Sequence, residues 1–266
     1  MNKVEGIVLD WAGTVIDYGC FAPLKVFIEI FKKKGVEISA EEAREPMGLP
    51  KLDHVRAIAE MPRVKGKWLE VHGQAPTQRD INEMYENFEY MLFEVLPQYT
   101  TPIPGVLQTV EQLRELGYKI GSTTGYTKDM MNIVAPKAKE KGYEPDYLAT
   151  PDDVKEGRPF PWMCYLNAME LGIFPMKRLV KVGDTVADMK EGLNAGMLTV
   201  GIILGSNELG LSQEEVEGME SSVLTEKMAA IRERFFQAGA HYVIDRFEEL
   251  PSVLEEINNH LSINHS

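Results

Sequence analysis

The chain reads as an α/β protein: a doubly wound, Rossmann-like core interrupted just after its first strand by an all-helical insert. Three observations carry that reading. An apolar run from Val4 to Leu9 ends on Asp10 and a glycine turn, Trp11-Ala12-Gly13-Thr14. From about Tyr118 onward, short β-rich runs alternate with helical patterns, as expected of βαβ units on a parallel sheet. Between about Gly19 and Tyr99 no convincing strand is visible, and the segment reads as successive helices.

Each element follows from local patterning. The first strand is the apolar run before Asp10. In the insert, Ser39 and Glu42 have capping-box spacing. A helix starting near Thr77 lines up Ile81, Met84, Tyr85, Phe88, Leu92 and Val95 on one face, which is expected to pack inside the helical module. Pro97, Pro102, Pro104 and Gly105 then mark the return to α/β texture. Strands are predicted over Tyr118 to Ser122, Leu179 to Val182, Thr199 to Ile203 and Tyr242 to Ile244, with helices beginning near Lys128 and Ala187. The core takes residues 1–18 and 100–266 and the insert residues 19–99, roughly eighty residues and far longer than an ordinary connection. An insert at that point overhangs the carboxyl edge of the sheet and can act as a cap. The last few residues are expected to fray.

Composition narrows the partners. At 266 residues and 44% apolar content, the chain can bury a full core and carry a second, smaller module. A formal charge of −13 argues against nucleic acid or an anionic membrane as the main partner and points to a small-molecule substrate. An acidic protein that binds an anion must gather positive charge locally, and a metal ion would help. Two cysteines, Cys20 and Cys164, form no disulfide framework, and no signal peptide or spanning segment is read, so the expectation is a cytoplasmic protein.

Reactive groups recur at predicted strand ends. Asp10 either caps its turn or, delivered to the carboxyl edge of an open sheet, does chemistry. Thr123-Thr124-Gly125 is a turn or a set of phosphate ligands. Asp184 at a strand tip and Asp188 on the first helical turn are caps or two oxygen ligands for one hard cation. Arg158, in Gly157-Arg158-Pro159, is a solvated charge or the isolated cation of an anion site.

This order of groups resembles the haloacid dehalogenase superfamily. The resemblance implies Asp10 as nucleophile, Thr124 as phosphate ligand, Arg158 as charge-neutralising cation, and Mg²⁺ held by Asp10, the Ala12 carbonyl, Asp184 and Asp188. Backbone N–H groups near Gly125 and Trp11 join the phosphate site. Aspartyl-phosphate chemistry agrees with these residue types, because a carboxylate nucleophile divides phosphoryl transfer into two steps.

One departure stands out. Phosphatases of the superfamily carry a second Asp two residues after the nucleophile, and here that position is Ala12. Either the protein is impaired or its leaving group is no alkoxide. The insert offers an alternative. In Met47-Gly48-Leu49-Pro50-Lys51-Leu52-Asp53-His54, Pro50 fits the first position of a helix and places Lys51 in its first turn, where the helix dipole favours the neutral amine. His54 follows three residues later on the same face. Lys51 is a surface lysine or an imine former, and the missing acid favours the latter. With Cys20, Met47, Gly48 and Tyr126 added, the resemblance narrows to the branch that cleaves a carbon–phosphorus bond through a lysine imine, in 2-aminoethylphosphonate degradation. His54 and Tyr126 are candidate proton shuttles for that chemistry, while Met47, Gly48 and Cys20 are candidates to line the pocket. A phosphomonoesterase or phosphomutase and a non-catalytic binding module are the rival readings. A homodimer through apolar faces of the cap, such as Phe27 and Phe31, is a further expectation.

Overall fold

The computed structural model describes residues 3–263. Strand β1 (Gly6–Leu9) is followed by five helices, α1 (Phe21–Lys33), α2 (Ala40–Arg44), α3 (Lys51–Glu60), α4 (Pro62–His72) and α5 (Gln78–Val95). The chain then alternates through α6 (Val106–Glu115), β2 (Lys119–Thr123), α7 (Lys128–Glu140), β3 (Tyr147–Ala149), α8 (Trp162–Leu171), β4 (Leu179–Gly183), α9 (Val186–Asn194) and β5 (Leu198–Ile202). It closes with α10 (Gln213–Gly218), α11 (Ser221–Gln237), β6 (Tyr242–Ile244) and α12 (Leu250–Ile263). The expectation of frayed last residues falls mostly outside the described chain.

All six strands are parallel, in the order β3-β2-β1-β4-β5-β6. Parallel sheets need both faces covered, and β1 and β4 are accordingly buried at every position. The strand order reverses at β1, so the crevice beyond the carboxyl ends of β1, β2 and β4 is where such sheets bind ligands. The short β3 escapes the sequence pattern because its three residues at the sheet edge, two half-buried and one buried, show no alternation.

Among the helices between β1 and β2, α2 and α5 start where their side-chain caps dictate. Both arms of the Ser39/Glu42 box are made, and Thr77 caps α5 with Asp80 as its reciprocal partner. Ile81, Met84, Phe88 and Leu92 are buried and Tyr85 and Val95 half-buried. Phe27 and Phe31 are fully buried inside this helical layer, Phe27 stacking on Phe88 at 4.3 Å. The expectation that they form a dimer face is therefore corrected: the periodicity of α1 marks its inner side. Pro50 is likewise the N-cap of α3 rather than its first residue, because its ψ of 139° keeps it extended. Lys51 then stands first in the helix.

The two passages between sheet and helices are tied together. Ile103 N–H donates to the Val15 carbonyl (2.9 Å) and Asp17 N–H to the Thr101 carbonyl (3.4 Å). Asp17 and Cys20, both at φ 54°, and Gly19 at φ 84° turn the outgoing passage through the left-handed region. Among the described residues no helix is long and apolar enough to cross a membrane.

Candidate active site

A small cavity lies where the helical layer meets the carboxyl edge of the sheet. Its walls are Asp10, Ala12, Cys20, Met47, Gly48, Lys51, Thr124, Gly125, Tyr126, Arg158, Asp184 and Thr185. Each core group is delivered by a strand end: Asp10 follows β1, Thr124 follows β2 and Asp184 follows β4. Gly13 has φ 88°, and a Cβ there would lie 2.1 Å from Asp184 Oδ2. The turn after Asp10 therefore admits only glycine beside that carboxylate.

From the helical side, the loop before α3 presses against the core. Gly48 has φ 90°, and a Cβ on it would meet Thr185 Oγ1 at 2.5 Å. That close seat carries Lys51 into the cavity, where it is only 4% exposed. Its Nζ lies 5.2 Å from the centre of the Tyr126 ring and 5.9 Å from that of Phe27. Burial pushes the ammonium below the usual lysine range, with Cys20, Asp10 and Asp184 opposing and Arg158 assisting. The result is a lysine biased toward neutral amine within a cavity that also holds carboxylates.

The positive charge that an acidic protein must gather is Arg158, buried among carboxylates. Its Nη2 donates to Asp10 Oδ1 (2.6 Å) and Thr123 Oγ1 (2.8 Å), and its Nε to Glu191 Oε2 (2.9 Å). Its Nη1 pairs with Asp188 Oδ1 at 3.1 Å. Lys181 balances the cluster, its Nζ 2.7 Å from Asp188 Oδ1 and 3.6 Å from Glu191 Oε2. Asp188 does not line the cavity. Thr185 engages its other oxygen from N–H and Oγ1, closing the capping box of α9.

Asp10, Asp184 and Asp188 each bring a carboxylate oxygen within 4.8 Å of the others. Burial, then the nearby Asp10 and Asp188, hold the Asp184 carboxyl well above the ordinary range. Three buried carboxylates this close, with Asp184 held well above its ordinary range, are a donor set that a hard divalent cation relieves, so these residues fit a metal. Thr14 Oγ1 and the Asn207 N–H orient Asp184 at 3.1 and 2.8 Å.

Besides Asp188, two sequence candidates lie off the cavity wall. His54 stacks on Phe27 at 3.8 Å and donates from Nε2 to the Ala43 carbonyl at 2.8 Å. Its Nδ1 is buried without a partner among the described residues, and burial, then Lys51, push its pKa well below the ordinary imidazole value. The Trp11 side chain turns away to pack edge-on against Tyr143, ring centres 5.1 Å apart. Thr124 Oγ1 accepts from the Tyr126 N–H at 3.0 Å, which makes its turn and leaves its hydroxyl hydrogen available. Burial keeps Cys20 a neutral thiol and Tyr126 a neutral phenol. Sequence reasoning missed Lys181, Glu191, Asn207 and Arg44, and read Thr123 as a turn or phosphate residue where it bonds Arg158 and Glu191. Lys181, a charge inside an apolar strand run, was the one visible signal; Asn207 and Arg44 carry none.

The chain belongs to the haloacid dehalogenase-like hydrolases, whose family model matches residues 4–196. Among curated relatives it is 64% identical to phosphonoacetaldehyde hydrolase from Bacillus cytotoxicus, over 96% of this chain and 97% of that one. It is 62% identical, with the same coverage, to the enzyme of that name from Bacillus cereus strain AH820. The crystal structure of a phosphonoacetaldehyde hydrolase-like protein from Oleispira antarctica superposes with TM-score 0.94 at 40% identity, covering 97% of this chain and 94% of that one. A β-phosphoglucomutase from Clostridium difficile, TM-score 0.67 at 15% identity over 97% of this chain and 99% of that one, shares the fold.

Proposed function

We propose that the protein hydrolyses the carbon–phosphorus bond of phosphonoacetaldehyde, giving acetaldehyde and phosphate. The observation that carries this reading is Lys51: a buried amine facing the same cavity as Asp10, in a site where Ala12 can move no proton. The names of the relatives support the substrate.

In this reading residues 1–18 and 100–266 form the core and residues 19–99 the cap. Neutral Lys51 condenses with the aldehyde, releasing water, and the protonated imine becomes the electron sink. A carboxylate oxygen of Asp10 attacks phosphorus; the carbon–phosphorus pair flows into the imine and leaves an enamine on Lys51. Arg158, Thr124 and backbone N–H groups near Gly125 and Trp11 hold the phosphoryl oxygens as charge spreads over them. Water then hydrolyses the aspartyl-phosphate. The enamine takes a proton at carbon, and water releases acetaldehyde from Lys51. Tyr126, and His54 through its unpartnered Nδ1, are the proposed proton carriers; Met47, Gly48 and Cys20 shape the pocket. Asp10, the Ala12 carbonyl, Asp184 and Asp188 would hold Mg²⁺, which when bound offsets the negative charge gathered around the phosphoryl group.

Reductive trapping tests the central step. Borohydride added with phosphonoacetaldehyde is expected to inactivate the protein and leave a two-carbon adduct on Lys51, absent from Lys51→Arg. An adduct elsewhere, or none alongside release of phosphate from simple phosphate esters, overturns the assignment and leaves a phosphomonoesterase.

A further inference from the structure

The helical layer touches the acidic site at a second place, away from Lys51. Arg44 ends α2 and reaches across to the loop after β5. Its Nη1 donates to the Gly19 carbonyl (2.6 Å) and to Asn207 Oδ1 (3.1 Å), and its Nη2 to the Gly210 carbonyl (3.3 Å). The Asn207 side chain answers, its Nδ2 donating to the Arg44 carbonyl at 3.1 Å. One carboxamide is thus clasped at both ends by one residue of the helical layer. The Arg44 guanidinium carbon also lies 4.9 Å from the centre of the Phe21 ring, which fixes the plane of the fork.

Asn207 is itself buried, and its backbone N–H is the donor that orients Asp184 Oδ2. The chain of contacts therefore runs Arg44, Asn207, Asp184, from α2 to the tip of β4. The same arginine holds Gly19, at the passage between sheet and helices, whose N–H donates to the Gly205 carbonyl at 2.7 Å in the loop that carries Asn207.

We infer that Arg44 is a positioning residue for Asp184: from the closed cap it fixes the Asn207 amide, so that closure and alignment of the acidic site are one event. The inference rests on the reading of Asp184 as a metal-side carboxylate. When the cap lifts, Asn207 loses both side-chain partners, and the amide that orients Asp184 sits on an unanchored loop. A metal site completed only in the closed state holds its activating charge back until Lys51 is also in place.

The test uses Arg44→Gln, Asn207→Ala and the double variant, and two measurements that need no turnover. In metal-free protein, amide hydrogen exchange at Asn207 is expected to speed up at least about tenfold in Arg44→Gln, since its loop loses the clasp. In calorimetric titration with Mg²⁺ alone, affinity is expected to fall about tenfold, the usual scale for removing a partner that orients a ligand. The double variant is expected to be no worse than the weaker single, because both changes cut one chain of contacts. A faster Asn207 amide with unchanged Mg²⁺ affinity, unchanged exchange, or losses that add all overturn the inference. Should Arg44→Gln not fold, Arg44→Lys carries the same comparison: it keeps the charge but cannot span the three acceptors, and an intermediate Mg²⁺ affinity is expected, with wild-type affinity overturning the inference. Neither measurement involves phosphonoacetaldehyde, so failure of the proposed reaction would register separately.

Discussion

Arg158 is the counter-charge of three buried carboxylates, and in the proposed reaction it is also the anion-binding group, so the two duties cannot be separated by mutation. Sequence-level reasoning, which treats it as an isolated loop cation, predicts that Arg158→Ala loses activity without unfolding. The structure corrects that expectation. Its partners Asp10, Asp188 and Glu191 are all buried, so removing the guanidinium strands charge in a low-dielectric interior. Arg158→Ala is expected to lower stability by about 3–5 kcal/mol in urea unfolding, and kcat by roughly 10²–10³-fold under conditions where it remains folded. A variant of wild-type stability would show that Lys181 alone neutralises the cluster. Lys51 presents the opposite case, since its burial works against its charge and toward nucleophilic amine.

At the level of elements, the passage into α1 combines backbone strain with a buried carboxylate. Asp17 caps α1 by accepting from the Phe21 and Ala22 N–H groups, each at 3.0 Å. Burial raises its carboxyl from 3.8 to about 6, against those two bonds and the charges of Arg44 and Lys25. A folded-state value above the unfolded one means the folded protein binds the proton more tightly. Its contribution is thus most favourable below about pH 4 and is lost as the pH rises through about 6. Relative to Asp17→Asn, which keeps one capping oxygen and does not titrate, wild-type stability is expected to fall by roughly 2–2.5 kcal/mol between pH 4 and pH 7. Denaturant midpoints across that range measure it; a pH-independent difference would mean Asp17 is solvated in solution. The neighbouring loop Met47–Pro50 works by shape instead, since the left-handed Gly48 lets the backbone seat against Thr185.

For the whole molecule, closure itself is the notable state. The cavity between helical layer and sheet edge has a volume of only ≈ 20 Å³, about the room of one water and far less than a phosphonate requires. Substrate must therefore enter through a more open arrangement, and the hydrogen-bonded pair of passages at Val15–Cys20 and Thr101–Ile103 is the natural pivot. Small-angle scattering is expected to show the radius of gyration contracting when Mg²⁺ and inorganic phosphate are added together. Superimposable profiles with and without them would count against a moving cap.

Much of this organisation is legible in the residues. β1, β2, β4, β5 and β6 begin and end within about two residues of the apolar runs that announce them, because a strand buried on both faces has little freedom in composition. The Ser39 and Thr77 caps are equally visible, since capping depends on side chains three residues apart. Asp10, Asp184 and Lys51 could be singled out because each brings a reactive group to an element's end, and Arg158 because it is an isolated cation in a restricted Gly-Arg-Pro loop. The partners that set their behaviour could not. Glu191 looks like an ordinary helix residue, nothing in the sequence pairs Thr123 with Arg158, and Arg44 and Asn207, 163 positions apart, meet only when the helices close over the sheet. By itself the sequence determined the α/β alternation, the helical insertion and the set of reactive groups, all of which follow from local periodicity and residue chemistry. Only the tertiary structure decided which charges neutralise one another, that His54 and Phe27 face inward, and that Lys51 is driven toward its neutral form, because burial and long-range pairing exist only after the chain has packed.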